Sequence, residues 1–222
     1  MPEATRTGGA PPAPWVSVII PVLNDAAALT LLLERLEPQA DARMELVVVD
    51  GGSSDDSLAV ARRSGLVDQA FAAPRGRGAQ LACGMMHARG CWLWLLHADS
   101  VPEPACLAYL LALDDRPGWG RFSVRLHGRP LLRAVARLMN WRSCLTGICT
   151  GDQAMFVHRD YLQAVGGMPA QALMEDIELS KRLKQLARPR CRAEVVGTSA
   201  RRWLRRGVVR TILGMWLFRL RY

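Results

Sequence analysis

"LWLLHADS", residues 93–100, is an apolar run that ends on a histidine and an acid, His97 and Asp99. Strands buried on both faces of a parallel sheet read as near-continuous apolar runs. Their carboxyl ends open on the crevice where ligands bind. A polar tip on such a strand lies where chemistry is done, not where the core is built. A strand of this kind needs parallel neighbours joined by helices.

The flanking sequence supplies them. "VSVIIPV" (residues 16–22) has the β-branched density of a buried strand, and Asn24 and Asp25 are good N-caps for a helix. Leu29, Leu32, Leu33 and Leu36 mark one face of that helix, which Pro38 ends. "MELVVVD" (44–50) reads as a second buried strand, "GGSSDDS" as a loop into another helix, and a weaker strand surrounds Phe71. "PRGRGAQ" (74–80) opens a helix to about Ala88, and "CWLWLLHAD" is the next strand. Strands and helices in close alternation are the mark of βαβ units, so the predicted class is α/β with a mostly parallel central sheet and helices on both faces. The second half is less regular. "WGRFSVRL" alternates as a strand at the crevice edge, Leu131, Leu132, Val135, Leu138 and Met139 give a helical stripe, and "QAMFVHR" is a short strand. "MEDIELSKRLKQL" is a helix with Leu179, Leu183 and Leu186 inward.

The 222 residues are half apolar, enough for one full core. No apolar run reaches the roughly 18 residues that span a bilayer. Residues 1–14 lack the apolar centre of a secretory signal and read as a flexible leader. Six cysteines (Cys83, Cys91, Cys106, Cys144, Cys149, Cys191) form no CxxC pair and are expected to be reduced thiols in a cytoplasmic protein. The net charge of +9 is concentrated at one end: residues 181–222 hold 13 Lys or Arg and a single acid, Glu194. Such a tail meets phosphates on nucleotides, nucleic acid or anionic lipid.

Four constellations carry candidate chemistry. Asp50, at a strand tip before glycines and hydroxyls, suits hydrogen bonding to a base or ribose. It also suits a plain turn, with Ser54 or Asp55 capping the next helix. Arg75 and Arg77, among glycines at a helix start, suit a phosphate or nucleotide, or a solvated basic turn. His97 and Asp99, two apart on an extended strand, point to the same side. One binds a divalent ion while the other supports it, or Ser100 caps a helix and His97 is a core histidine. Glu175, Asp176 and Glu178 open a helix, where acids compensate the dipole. One of them, Asp176, can instead serve as a general base.

Taken in order, "PVLND", "VVVDGGSSDDS", "RGRGAQ", "LLHADS", "GDQAMFV" and "LMEDIEL" resemble glycosyltransferase family 2 with its GT-A (Rossmann-like) fold, over about residues 16–203. The likeness is strongest to a small bacterial subgroup in which the metal motif reads His-Ala-Asp. It implies that Asp50 meets the donor's base and that Arg75 or Arg77 contacts the nucleotide, with Pro21, Asn24 and Gly78 in the same nucleotide-sugar site. The metal motif falls on His97-Ala98-Asp99, where the family's first acid is missing and Asp99 is the principal ligand for Mn²⁺ or Mg²⁺. Asp176, after Glu175, falls on the catalytic base of inverting members. The family's QxxRW is half kept as "SARRW", with Arg202 and Trp203 near the pyrophosphate or acceptor. Asp152 and Gln153 of "GDQ" shape the acceptor side.

The resemblance therefore implies an inverting, metal-assisted transferase moving a sugar from a nucleotide-diphosphate sugar to an acceptor hydroxyl. A nucleotidyltransferase and a non-catalytic nucleotide-sugar-binding module are the alternatives. The expected organisation is a leader (1–14), a GT-A domain (15–204) and a basic amphipathic C-terminal helix (205–222). That helix either packs on the domain or meets an anionic membrane surface at the inner face, where the acceptor would be lipid-linked. No nucleic-acid partner is expected.

Overall fold

Each strand of the first half places alternate side chains on opposite faces, and both faces are apolar. The computed structural model, which describes residues 13–126, 130–169, 171 and 173–198, shows the consequence. Strands β1 (Val16–Val22), β2 (Met44–Asp50), β3 (Gln69–Ala72) and β4 (Trp92–Leu95) pair in parallel in the order β3-β2-β1-β4. The sheet continues through β7 (Phe156–His158), β6 (Trp119–Leu126), β8 (Arg190–Thr198) and β5 (Ser100–Pro102), to eight strands. The β4–β7, β6–β7 and β5–β8 pairs are antiparallel and β6–β8 is parallel. The sheet is mostly parallel, as expected, and every antiparallel pair involves β7 or β8. "WGRFSVRL" is a strand as expected, β6, and it lies between β7 and β8.

Helices cover both faces. Val18, Ile20, Leu46, Val48, Trp92 and Trp94 face α1 (Ala26–Leu36), α2 (Ser57–Arg63) and α4 (Pro104–Leu111). Ile19, Leu93 and Leu95 face α3 (Arg77–His87), α6 (Arg159–Ala164) and α7 (Glu175–Leu186). Full burial of side chains of this size contributes about 1.5–3 kcal/mol each. On α7, Leu179 and Leu183 are buried as expected, but Leu186 is exposed and Ile177 takes part in the buried face instead.

Helix α5 (Pro130–Thr146) packs on β6 through Leu132, Ala136 and Met139. Asn140 clamps it there, its side chain accepting from the Val124 N–H and donating to the Val124 carbonyl. Of the expected stripe, Leu132 and Met139 are buried and Val135 is half-buried, whereas Leu131 and Leu138 face outward. The stripe spans more of the helix than the sheet can cover.

One cysteine expectation is corrected. Cys144 of α5 and Cys191 of β8 are joined by a disulfide, their Cα atoms 5.9 Å apart, within bonding reach. They lie 47 residues apart, and the packing of α5 on β6, the neighbour of β8, brings them together. Cys83, Cys91, Cys106 and Cys149 are free thiols. Residues 1–12 of the expected leader and the whole of 199–222, with the expected C-terminal helix, Arg202 and Trp203, lie outside the described residues.

Candidate active site

The carboxyl ends of β1 and β4 open on a cleft of about 310 Å³ lined by Pro21, Val22, Leu23, Asp25, Arg75, Gly76, Arg77, Gln80, His97, Ala98 and Asp99. Three of the quoted motifs thus share one cavity. Gln80 fixes its floor: the side-chain amide donates to the carbonyls of Val22 (2.8 Å) and Val49 (2.7 Å), tying the ends of β1 and β2 to α3. Gly51 is glycine because a Cβ there would press against the Gln80 amide at 3.0 Å. Gly78 lies under the Gln171 carbonyl and Glu175, so α3 meets the start of α7 closely.

Arg77 joins the cleft to the acidic start of α7. Its guanidinium pairs with Glu175, lies 3.5 Å from Asp176 and lies 3.4 Å from His97 Nε2. Burial works against that charge, but Asp176, Glu175 and Asp152 outweigh it and hold the guanidinium above its usual range. Asp176 accepts the Gly151 N–H at 2.7 Å and the Ile177 N–H at 2.8 Å. Glu175 is buried, and Asp176 retains some exposure. Met174, just before them, holds a left-handed φ of 61°, a strained position that aims both acids at Arg77.

His97 and Asp99 are not on a strand. β4 ends at Leu95, and residues 98–99 form a turn in which the Ser100 N–H bonds the His97 carbonyl. The same-side argument for the pair therefore fails, yet the turn still presents both to the cleft. His97 Nδ1 lies 3.5 Å from an Asp152 oxygen. A Cβ on Gly151 would come within 2.6 Å of His97 Nε2, so that glycine gives the imidazole its room.

For the divalent ion implied by the resemblance, the donor set fits. Asp99 offers a carboxylate with no hydrogen-bond partner among the described residues, and His97 stands beside it with Asp152 behind. Hard cations in such sites take one or two protein carboxylates and leave the remaining positions to water and substrate phosphate. No group of three or more His, Cys, Asp or Glu able to hold a metal occurs among the described residues.

Asp50 serves the turn and keeps one atom in reserve. Its Oδ2 accepts the Gly52 and Ser53 N–H groups, both at 2.9 Å, while Oδ1 is buried without a partner among the described residues. Asn24 adopts φ 51° and its side chain receives the Ser54 N–H, so it braces the loop instead of capping α1. Asp55 takes over that cap, accepting the Ala26 N–H at 3.0 Å. Gln153, expected on the acceptor side, is fully buried and donates to Ser143 and Asn140 of α5. Asp152 alone of that pair reaches the site. Sequence reasoning missed Gln80 and took Gly151 only as part of "GDQ", without its bond to Asp176, although both stand inside quoted motifs. Their signal is a glutamine next to a glycine-rich turn and a glycine before an acid, too common to single out.

The family model for "Glycosyl transferase family 2" matches residues 17–129, half of the chain. The chain belongs to glycosyl transferase family 2. It is 29% identical over 157 residues to an undecaprenyl-phosphate 4-deoxy-4-formamido-L-arabinose transferase of Pseudomonas syringae, covering 60% of this chain and 47% of that protein. It is 38% identical over 112 residues to a PGL/p-HBAD biosynthesis glycosyltransferase of Mycobacterium bovis, covering 45% of this chain and 41% of that protein. The chain thus spans about half the length of the curated relatives it matches. Among solved structures it resembles the mannosyltransferase PcManGT of Pyrobaculum calidifontis in complex with GDP-Man and Mn²⁺ (TM-score 0.63, 21% identity, 83% of this chain and 56% of that one). It also resembles S. aureus TarS 1-349 in complex with UDP (TM-score 0.65, 17% identity, 83% of this chain and 60% of that one). The fold is therefore the GT-A fold of family 2. The matched residues 17–129 contain the cleft's lining but end before Asp152, Glu175 and Asp176.

Proposed function

We propose that the protein transfers a sugar from a nucleotide-diphosphate sugar to an acceptor hydroxyl with inversion, and that Asp176 is the base. The observation that carries this reading is the Arg77–Asp176–Gly151 arrangement. It holds a part-exposed carboxylate, fixed by the Gly151 and Ile177 N–H groups and one guanidinium, beside a cleft at the strand ends. A general base must lie within reach of the proton it takes, and the Arg77 guanidinium, 3.5 Å away, holds the Asp176 carboxylate in place. The nucleotide's base lies toward Asp50, whose unpartnered Oδ1 accepts an N–H or O–H of the donor. Arg75, exposed at the cleft, and Arg77 face the diphosphate. Arg202 and Trp203 belong to the same site by motif. When bound by Asp99 and His97, Mn²⁺ or Mg²⁺ supplies positive charge to the leaving diphosphate.

The binding of UDP and GDP-Man by proteins of the same fold supports a nucleotide donor. The undecaprenyl-phosphate named for one relative supports a lipid-linked acceptor, with the enzyme at the inner face of the membrane and its basic tail against anionic lipid. We take residues 15–204 as the catalytic domain.

The test is a thermal-shift panel of UDP- and GDP-sugars with and without Mn²⁺, followed by turnover with the stabilising donor. A donor at a hundredfold excess over Kd stabilises the fold by about 2.7 kcal/mol. Asp99→Asn should abolish the Mn²⁺-dependent part of the shift. Asp176→Asn should leave donor binding nearly intact and lower kcat by about 10²–10⁴. Equal loss of donor binding in Asp176→Asn would make that residue structural. Release of pyrophosphate from a nucleoside triphosphate would establish a nucleotidyltransferase instead.

A further inference from the structure

Helix α5 is apolar on two opposite faces. Leu132, Ala136 and Met139 are buried against β6, whereas Leu131, Leu138, Trp141 and Leu145 are 53%, 59%, 64% and 69% exposed. At 100° per residue these four fall, with exposed Ala134, on a single stripe directed away from the sheet. Surface leucines scattered singly need no account, but a contiguous stripe that includes a tryptophan marks an interaction surface. Charge says what it meets. Arg133 and Arg137 flank the stripe on one side and Arg142 on the other, and no Asp or Glu occurs between residues 130 and 146. An exposed apolar stripe with a tryptophan and only cationic flanks matches the boundary of an anionic bilayer: the ring and leucines enter the headgroup zone and the arginines meet lipid phosphates.

Two placements strengthen the match. β8 ends at Thr198 opposite Leu126 of β6, and α5 begins four residues after Leu126, at Pro130. By sequence, residues 199–222 are cationic as well, with no Asp or Glu, and like charge disfavours that segment as the cover of α5. At its other end, α5 stops at Thr146, five residues before Gly151, the N–H donor to Asp176.

We propose that the outer face of α5 is a seat for an anionic lipid surface, laying the 17-residue helix along the membrane with its carboxyl end toward the acceptor side of the site. The seat stands on α5 alone; its use in presenting a lipid-linked acceptor rests on the function proposed above.

The test is co-sedimentation of the full chain with phosphatidylcholine vesicles with and without phosphatidylglycerol, at low and high salt. Binding is expected only with phosphatidylglycerol and should weaken in salt. The triple variant Leu138→Gln, Trp141→Gln, Leu145→Gln keeps residues 199–222 and the buried face of α5. It should keep its Tm and bind such vesicles roughly tenfold less or weaker. Arg133→Glu with Arg137→Glu should weaken binding to a similar extent. Unchanged binding by the triple variant would place the lipid contact elsewhere and overturn the proposal. Equal binding to neutral vesicles would overturn the choice of anionic lipid. A dimer that ignores vesicles and is dissociated by the triple variant would show that a second copy covers the face. The donor-dependent thermal shift, run on the same variants, should not move. A lost lipid seat is thereby told apart from a failed glycosyl-transfer reading, which would remove that shift in the wild type.

Discussion

Glu175 is 1% exposed and its carboxylate is paired by Arg77, so Arg77→Met leaves a buried charge with no cation beside it. Breaking a buried pair costs about 3–5 kcal/mol, and the one-third exposure of Arg77 puts the expected loss near about 3 kcal/mol. Urea unfolding measures it. The double variant Arg77→Met, Glu175→Leu should recover much of the loss, because both charges are then gone. The cysteines separate at the same scale. Burial pushes the Cys106 and Cys149 thiols up to about 12, so almost no thiolate exists at neutral pH. Native alkylation read by mass spectrometry should label Cys83 and Cys91 first, Cys106 and Cys149 only on unfolding, and Cys144 and Cys191 only after reduction.

Helix α3 is held against β1 and β2 by the absence of a side chain. A Cβ on Gly84 would lie 2.5 Å from Ile19 Cγ2 and 3.0 Å from Val49 Cγ2. Gly84→Ala therefore pushes α3, the helix that carries Arg77 and Gln80 into the cleft, off the sheet. Overpacking of this kind costs about 1–3 kcal/mol. In an Ile19→Ala background the same change should cost less, because the colliding methyl is gone, and the thermal midpoints of the four proteins measure that coupling. If the cost is equal in both backgrounds, the contact at Ile19 is not what sets the helix's distance from the sheet.

Stability across the whole molecule should fall as the solution is acidified, in two steps. Burial pushes the His158 imidazole below its ordinary value of 6.5, and its Nδ1 accepts the Asp160 N–H as a neutral ring. Its contribution is complete above the unfolded value and is lost as pH falls below it. Burial also works against the Glu45 carboxylate, but Ser17, the Arg89 N–H and the Arg89 guanidinium outweigh it and hold the group below its ordinary 4.5. That contribution is present above 4.5 and is lost as pH falls toward the depressed folded value. Urea midpoints against pH should drop first between about pH 7 and 5 and again below about 4.5. His158→Gln should flatten the first step and Glu45→Gln the second.

The four parallel strands, α1, α3 and α7 were legible in the sequence because strand and helix periods differ and both faces of the sheet needed apolar cover. The motif order carried the family. Residues whose roles depend on one loop's own geometry, such as Asp50 at its turn, were legible as alternatives: one oxygen serves the turn, and the other has no partner among the described residues. The features that stayed hidden depend on segments distant in sequence meeting in space. Arg77 meets Glu175 and Asp176 across about a hundred residues, His97 meets Asp152, and Cys144 meets Cys191. Gln153 turned inward because α5 offered it Ser143 and Asn140. Local propensity is read along the chain, whereas burial and charge pairing are set by whichever surface packs opposite, and no single stretch of this sequence states what that surface is.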